Sequence, residues 1–185
     1  LDVVDLKHAE GPSKIDRLAL KLWGSFLPAT SEEKLADVRR LQNDLRAGRG
    51  EPSRGLSIFE KHCGTCHRLL GVGKEVGPDL ASANRGDADF LLVSMVDPNA
   101  QIRKEYLSYT VQTTDGRLLT GLVPRQDAET LEILAADGTR LALARQDVKE
   151  IEESPVSLMP EGLLAKLTPD ELRDLFAFLQ SKELP

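Results

Sequence analysis

Both cysteines of this 185-residue chain stand in a single run, Cys63-Gly64-Thr65-Cys66-His67, and no third cysteine exists to pair with either. A disulfide framework is therefore unavailable. Any fold the chain adopts has to present two thiols and an imidazole side by side. Two chemistries fit the spacing poorly. A thioredoxin-like redox pair sits in a βαβ context, whereas the flanks here read as a helix and a glycine-rich loop. A closed zinc site takes four ligands, and the other histidines are His8, distant in sequence, and His62, which abuts Cys63.

The run matches C-x-x-C-H, the attachment pattern of a c-type haem. Two thiols add across the two porphyrin vinyl groups to form thioethers, and two intervening residues let one helical turn span the vinyl separation. The adjacent imidazole then lies under the iron as the proximal ligand. The expectation is one covalent haem c on Cys63 and Cys66, with His67 on the iron and the small Gly64 and Thr65 against the ring edge. Composition agrees, since five Phe, two Tyr and one Trp leave a core short of large apolar bodies. Thioether attachment takes place in an oxidising, extracytoplasmic compartment, so a periplasmic location is expected. The chain starts at Leu1 without a charged-then-apolar leader and reads as a processed or excised piece.

A net charge of −6 argues against nucleic acid as a partner, because such domains usually carry a basic stripe. Haem propionates add further negative charge, and a basic patch on a redox partner would steer encounter. No apolar run approaches the ~18–20 residues of a bilayer span.

Haem iron in electron carriers often takes Met as its distal ligand, which raises the potential. Met159, in the loop Ser157-Leu158-Met159-Pro160, is the preferred candidate, because a loop Met reaches a haem face without breaking a helix ladder. Met95 lies in the apolar stretch Leu91–Val96 and reads more simply as core. An open or water-occupied position, Met95, or a His are the alternatives. Arg85 is a candidate for a haem propionate against the simpler reading of a solvated loop arginine. Tyr106 and Trp23 read first as packing residues, and Arg103 and Lys104 as solvated.

Apolar periodicity predicts a helix through Ile15, Leu18, Ala19 and Leu22, ending at Gly24. A second helix is expected from Thr30, with Glu33 closing a capping box, and Leu35, Val38, Leu41 and Leu45 on its apolar side. Residues 48–53 read as a linker. A short helix over Arg54–Arg68 carries the cysteines near its end, a glycine-rich loop follows through Pro78, and another helix runs from Asp87 to Val96. The period then switches to two. Strands are expected at Tyr106–Thr113, Arg117–Val123, Thr130–Ala135, Thr139–Ala144 and Val148–Glu152, with Asp115-Gly116 and Asp137-Gly138 as turns. The last helix starts at Thr168, with Pro169 in its first turn and Glu171 completing a capping box. Leu172, Leu175, Phe176 and Leu179 form its buried stripe.

The run Gly55-x-x-Ile58-Phe59-x-x-x-Cys63-x-x-Cys66-His67 resembles the first helix of a class I cytochrome c. Gly77-Pro78-Asp79-Leu80 is similar to that class's proximal loop, and the resemblance gives Pro78 the role of accepting a hydrogen bond from the proximal imidazole. Met159-Pro160 ahead of the Thr168 helix completes the pattern. More closely, Val76–Leu80, Asp97-Pro98-Asn99, Tyr106–Gly116 and Ser157–Gly162 resemble the C-terminal CxxCH haem domain of planctomycete and verrucomicrobial proteins. In that family a β-module separates the proximal loop from the distal Met.

The implied fold is a mainly α cytochrome c fold with an inserted small antiparallel β module, an Sm-like barrel or curved sheet, α+β overall. Residues 1–52 form an N-terminal helical segment and linker, and 53–185 the cytochrome c domain interrupted by a β insert at 106–153. Such domains often terminate longer proteins, and residues 1–50 then read as the tail of a helical part.

The expected function is one-electron transfer, to or from a dehydrogenase domain or another cytochrome, with the chain not itself an enzyme. The alternative is a haem-based CO or NO sensing or binding module with a displaceable Met. A peroxidase needs an open iron and distal acid–base groups, and no distal His–Arg pair is evident. The β insert is a candidate docking or homodimer surface.

Overall fold

The structure, a computed structural model, describes residues 25–26 and 31–185. The helix expected through Ile15–Leu22, together with His8 and Trp23, lies outside the described residues.

Two helices form the frame. Helix α2 (Pro52–His62) and helix α4 (Pro169–Leu179) cross with almost no space between their backbones. A Cβ added to Gly55 would stand 1.9 Å from the Asp174 carbonyl oxygen, so only glycine fits. One turn on, Phe59 meets Phe178 with ring centroids 5.2 Å apart in a tilted pair, a favoured aromatic geometry. Helix α4 begins as its sequence predicts. The Thr168 hydroxyl accepts from the Glu171 N–H and the Glu171 carboxylate accepts from the Thr168 N–H. Asp174 is buried despite its charge. It accepts from the Glu51 N–H (2.6 Å) and from Arg54 Nε (2.7 Å), and so caps the start of α2 from the neighbouring helix.

Helix α1 (Glu32–Arg46) corrects the sequence reading at its start. Its cap is Ser31 rather than Thr30, with the hydroxyl accepting from the Lys34 N–H at 3.3 Å. The residue three beyond Ser31 is Lys34, which has no acceptor to return the bond, so no capping box forms with Glu33. Val38 and Leu41 are buried where α1 meets α4 and helix α3 (Ala88–Val96). Asp87 caps α3, accepting from the Asp89 and Phe90 N–H groups. Met95 sits in the core with Leu91 and Leu92, as expected. Helix α2 also differs from expectation. It stops at His62 instead of running to Arg68, because the Cys63 and Gly64 N–H groups both close on the Phe59 carbonyl (2.8 and 2.7 Å) and tighten its last turn.

Short strands tie the loops. Strand β1 (Ser25–Phe26) pairs with β4 (Gln101–Ile102), and β2 (Arg68–Leu69) with β3 (Val72–Gly73). Between α3 and α4 lies a five-stranded antiparallel sheet of β5 (Ser108–Thr113), β6 (Leu118–Gln126), β7 (Thr130–Leu134), β8 (Arg140–Ala144) and β9 (Val148–Ser154). Its order is β8-β7-β6-β5-β9, so the last strand returns beside the first. The ladder has two edges, β8 and β9, and is an open sheet, not a closed barrel. Register shifts at Gln112/Thr113 and between Leu122 and Arg125 bend such a sheet. Tyr106 is not in the first strand: it ends a 3-10 turn over Lys104–Tyr106, under the Arg103 guanidinium at 5.2 Å.

The sheet has its own core of Val111, Leu131, Ile133 and Leu143. A separate apolar joint, built on Val76, Leu122 and Leu134 with Cys66, Tyr106 and Leu158, fastens the sheet to the helical part.

The Arg54 guanidinium holds the Asp174 carboxyl below its ordinary value of 3.8. A depressed folded-state pKa means that its stabilisation is complete above the unfolded pKa and is lost as pH falls through the folded one. Asp174→Asn should therefore lower stability by about 1.5–3 kcal/mol at pH 7. Urea unfolding should show that gap narrowing steadily below about pH 4. A gap independent of pH would contradict this role.

Candidate functional site

The site is built on the turn that follows α2. Cys63 is the helix C-cap, and its carbonyl accepts from the Cys66 and His67 N–H groups at 3.0 and 2.8 Å. The chain then doubles back through β2 and β3. The Lys74 N–H reaches the Gly64 carbonyl (3.0 Å), and the Val76 and Gly77 N–H groups reach the Cys66 carbonyl (3.0 and 2.7 Å). The returning loop lies flat against the turn.

This folding-back orients His67. Its Nδ1 lies 2.9 Å from the Pro78 carbonyl oxygen. A carbonyl only accepts, so Nδ1 carries the hydrogen and Nε2 is left with its lone pair, the tautomer of a metal-ligating imidazole. Burial pushes the His67 pKa below its ordinary 6.5, partly opposed by the Pro78 bond, which keeps the ring neutral. Gly77 packs directly on it: an added Cβ would come within 2.7 Å of Cε1 and 3.0 Å of Nδ1.

The two cysteines are half-buried and are not joined to each other. Burial, and then the proximity of Cys66, push the Cys63 thiol up to about 11. A redox-exchange cysteine needs the opposite shift. Among the described residues, no group of three His, Cys, Asp or Glu side chains could hold a metal ion. The arrangement fits a covalent haem: two thiols not joined to each other, an imidazole with a free nitrogen, and apolar surroundings.

The thiols face different surroundings. Cys63 packs against the helical core and Cys66 against the sheet joint, where its sulfur also lies 3.5 Å from the Ala136 carbonyl oxygen of the β7–β8 turn. The segment Leu158-Met159 repeats that division: Met159 packs on the helical core and Leu158 on the joint. The structure thus brings the Cys63–His67 turn and the Met159 loop to the same two apolar clusters from opposite ends of the sequence. Met95 is committed to packing.

Arg85 is tied to the end of α4. Its Nη1 donates to the Leu179 and Ser181 carbonyls (2.6 and 2.7 Å), satisfying orphan acceptors at the C-terminal end of α4. It is therefore not a solvated loop arginine. Three residues with no individual role in the sequence reading matter here: Gly77 behind the imidazole, Asn99 beside the Met159 loop, and Lys34 on α1. Asn99 lies in the Asp97-Pro98-Asn99 stretch already singled out, but no local pattern shows that its side chain reaches Ser157 and Glu161.

A family model described as Cytochrome c matches residues 52–183. No curated protein matches the chain.

Gly77→Ala should force the imidazole and the Pro78 loop apart, at about 1–3 kcal/mol. The Nδ1 proton of His67, followed by NMR, should exchange faster with solvent in the variant. Unchanged exchange would contradict the account of the loop.

Proposed function

The chain belongs to the cytochrome c family, a family of haem-binding electron-transfer modules, and from that premise we propose that it carries one haem c on Cys63 and Cys66, with His67 and Met159 as the two axial ligands of the iron. The observation that carries this reading is the shared pair of apolar clusters on which the Cys63–His67 turn and the Leu158-Met159 segment both rest. A single attachment run and two cysteines support a count of one haem.

When bound, the haem supplies the one-electron change between ferric and ferrous iron. The residues of the chain hold it and set its environment. Pro78 fixes the imidazole plane through Nδ1, and Gly77 lets the loop close behind the ring. Ser157 Oγ accepts from the Met159 N–H at 3.1 Å, and Asn99 Oδ1 accepts from the Ser157 N–H at 2.8 Å, so side-chain acceptors hold two backbone N–H groups of the loop. A thioether held in this way favours the reduced state and a small reorganisation on electron transfer. The pinned loop supports a carrier over a CO or NO sensor with a displaceable Met.

The β7–β8 turn lies over the Cys66 sulfur, which supports a shielding role for the sheet on that side. The return of β9 beside β5 is consistent with an Sm-like module interrupting a cytochrome c domain over 53–185, with 1–52 added in front. Together with the matched stretches, this supports kinship with the planctomycete-type haem domains. The partner in this reading is a dehydrogenase domain or another cytochrome that presents a basic patch to a chain of net charge −6, in the periplasm or an equivalent compartment. No described helix is long and apolar enough to cross a membrane.

The test is Met159→Ala in haem-loaded protein. The variant should keep its haem, lose the weak far-red ferric band of sulfur-ligated iron, and fall in midpoint potential by on the order of 0.1 V, a part of the ~0.8 V that axial ligands command. Retention of the band would overturn the assignment of Met159.

A further inference from the structure

The loop that carries Met159 is gripped from outside the matched domain. Lys34 belongs to α1, whereas the family match begins at residue 52. Its Nζ donates to Asp97 Oδ1 at 2.6 Å and to Glu161 Oε1 at 2.7 Å. Asn99 Nδ2 donates to that same Glu161 oxygen at 2.8 Å, while Asn99 Oδ1 accepts from the Ser157 N–H at 2.8 Å. Ser157 and Glu161 stand two residues either side of Met159. The network therefore brackets the methionine, and Lys34 closes it.

Electrostatics make Lys34 more than one surface pair among many. Asp97 is only 7% exposed and caps the C-terminal end of α3. That is the negative end of the helix dipole, where a carboxylate is disfavoured. A carboxylate buried there needs a cation, and Lys34 supplies one. The other arm, Glu161, is about half exposed and would contribute little by itself. Joined through one ammonium to the buried Asp97, it becomes an anchor for the segment just after Met159.

We propose that α1 acts through Lys34 as a latch on the distal loop: Lys34 is a positioning residue that sets how firmly Met159 is held. This rests on the reading of Met159 as an axial ligand. Loss of the ammonium would leave Asp97 uncompensated at the end of α3 and Glu161 with Asn99 as its remaining donor, so the loop would give up Met159 more readily to a competing ligand.

The experiment uses the haem-loaded full chain in the ferric state, titrated with imidazole and followed at the far-red sulfur–iron band. Lys34→Met keeps the aliphatic stem and removes the charge. It should bind imidazole about 5- to 20-fold more tightly than the parent, as expected for losing charge-assisted hydrogen bonds that favour the closed loop. Its midpoint potential should also fall. Lys34→Arg should restore both, and high salt should narrow the difference between parent and Lys34→Met. Arg40→Ala, which removes only pairs within α1, should change neither readout.

Parent-like imidazole affinity in Lys34→Met would overturn the latch. If Lys34→Met does not fold, Glu161→Gln decides the matter, with unchanged affinity again fatal. Failure of the underlying ligand assignment looks different: Met159→Ala would then retain both the band and the parent affinity.

Discussion

Helices α2 and α4 approach so closely at Gly55 that the Asp174 backbone occupies the place of a side chain. That contact fixes the axis of α2, and with it the point in space where the helix ends. The last turn closes on the Phe59 carbonyl just as Phe59 itself is clamped against Phe178. Cys63 therefore leaves the helix in a defined direction, and the turn through His67 inherits it. The charged cap of Asp174 on Glu51 and Arg54 holds the other end of the same helix. A site that needs two thiols and an imidazole in register depends on this rigidity, since residues on a frayed helix end could not hold a macrocycle in one orientation.

The sheet is not a passive insertion. Its own core would let it hold together as a unit, yet it contributes Leu122 and Leu134 to the joint that contains Cys66. Its first strand also reaches the loop before α4, where the Ser108 hydroxyl donates to the Val156 carbonyl at 2.6 Å. One module thus touches both the attachment turn and the segment leading to Met159. The helical part touches the same segment through Asn99 and Lys34. The loop bearing Met159 is held from three sides, each with a different element behind it.

Much of this was legible in the sequence, for local reasons. The attachment run is a chemical pattern, and the α4 start is a capping box whose partners lie three residues apart. The two Asp-Gly turns depend on four or five neighbouring residues. What sequence missed is long-range or depends on one atom. The helix carrying the cysteines ends six residues short of the expected Arg68, because a single carbonyl, that of Phe59, decides where it stops. Ser31 took the place of Thr30 because the following register sets which hydroxyl meets the Lys34 N–H. The sequence position of Arg85 gives no hint of the α4 carbonyls folded against it. The bracket around Met159 joins residues from α1, the end of α3 and the loop before α4, which no window of sequence contains.

Everything rests on both sulfurs of the Cys63–Cys66 run being bonded to one porphyrin. The most direct measurement is the intact mass of the protein expressed with a cytochrome c maturation system and denatured before analysis. The account predicts a mass raised by one haem that survives acid–acetone extraction, an alkaline pyridine spectrum of two saturated vinyl groups, and no thiol left to react with iodoacetamide. A mass equal to that of the bare polypeptide, with two free thiols, would contradict it.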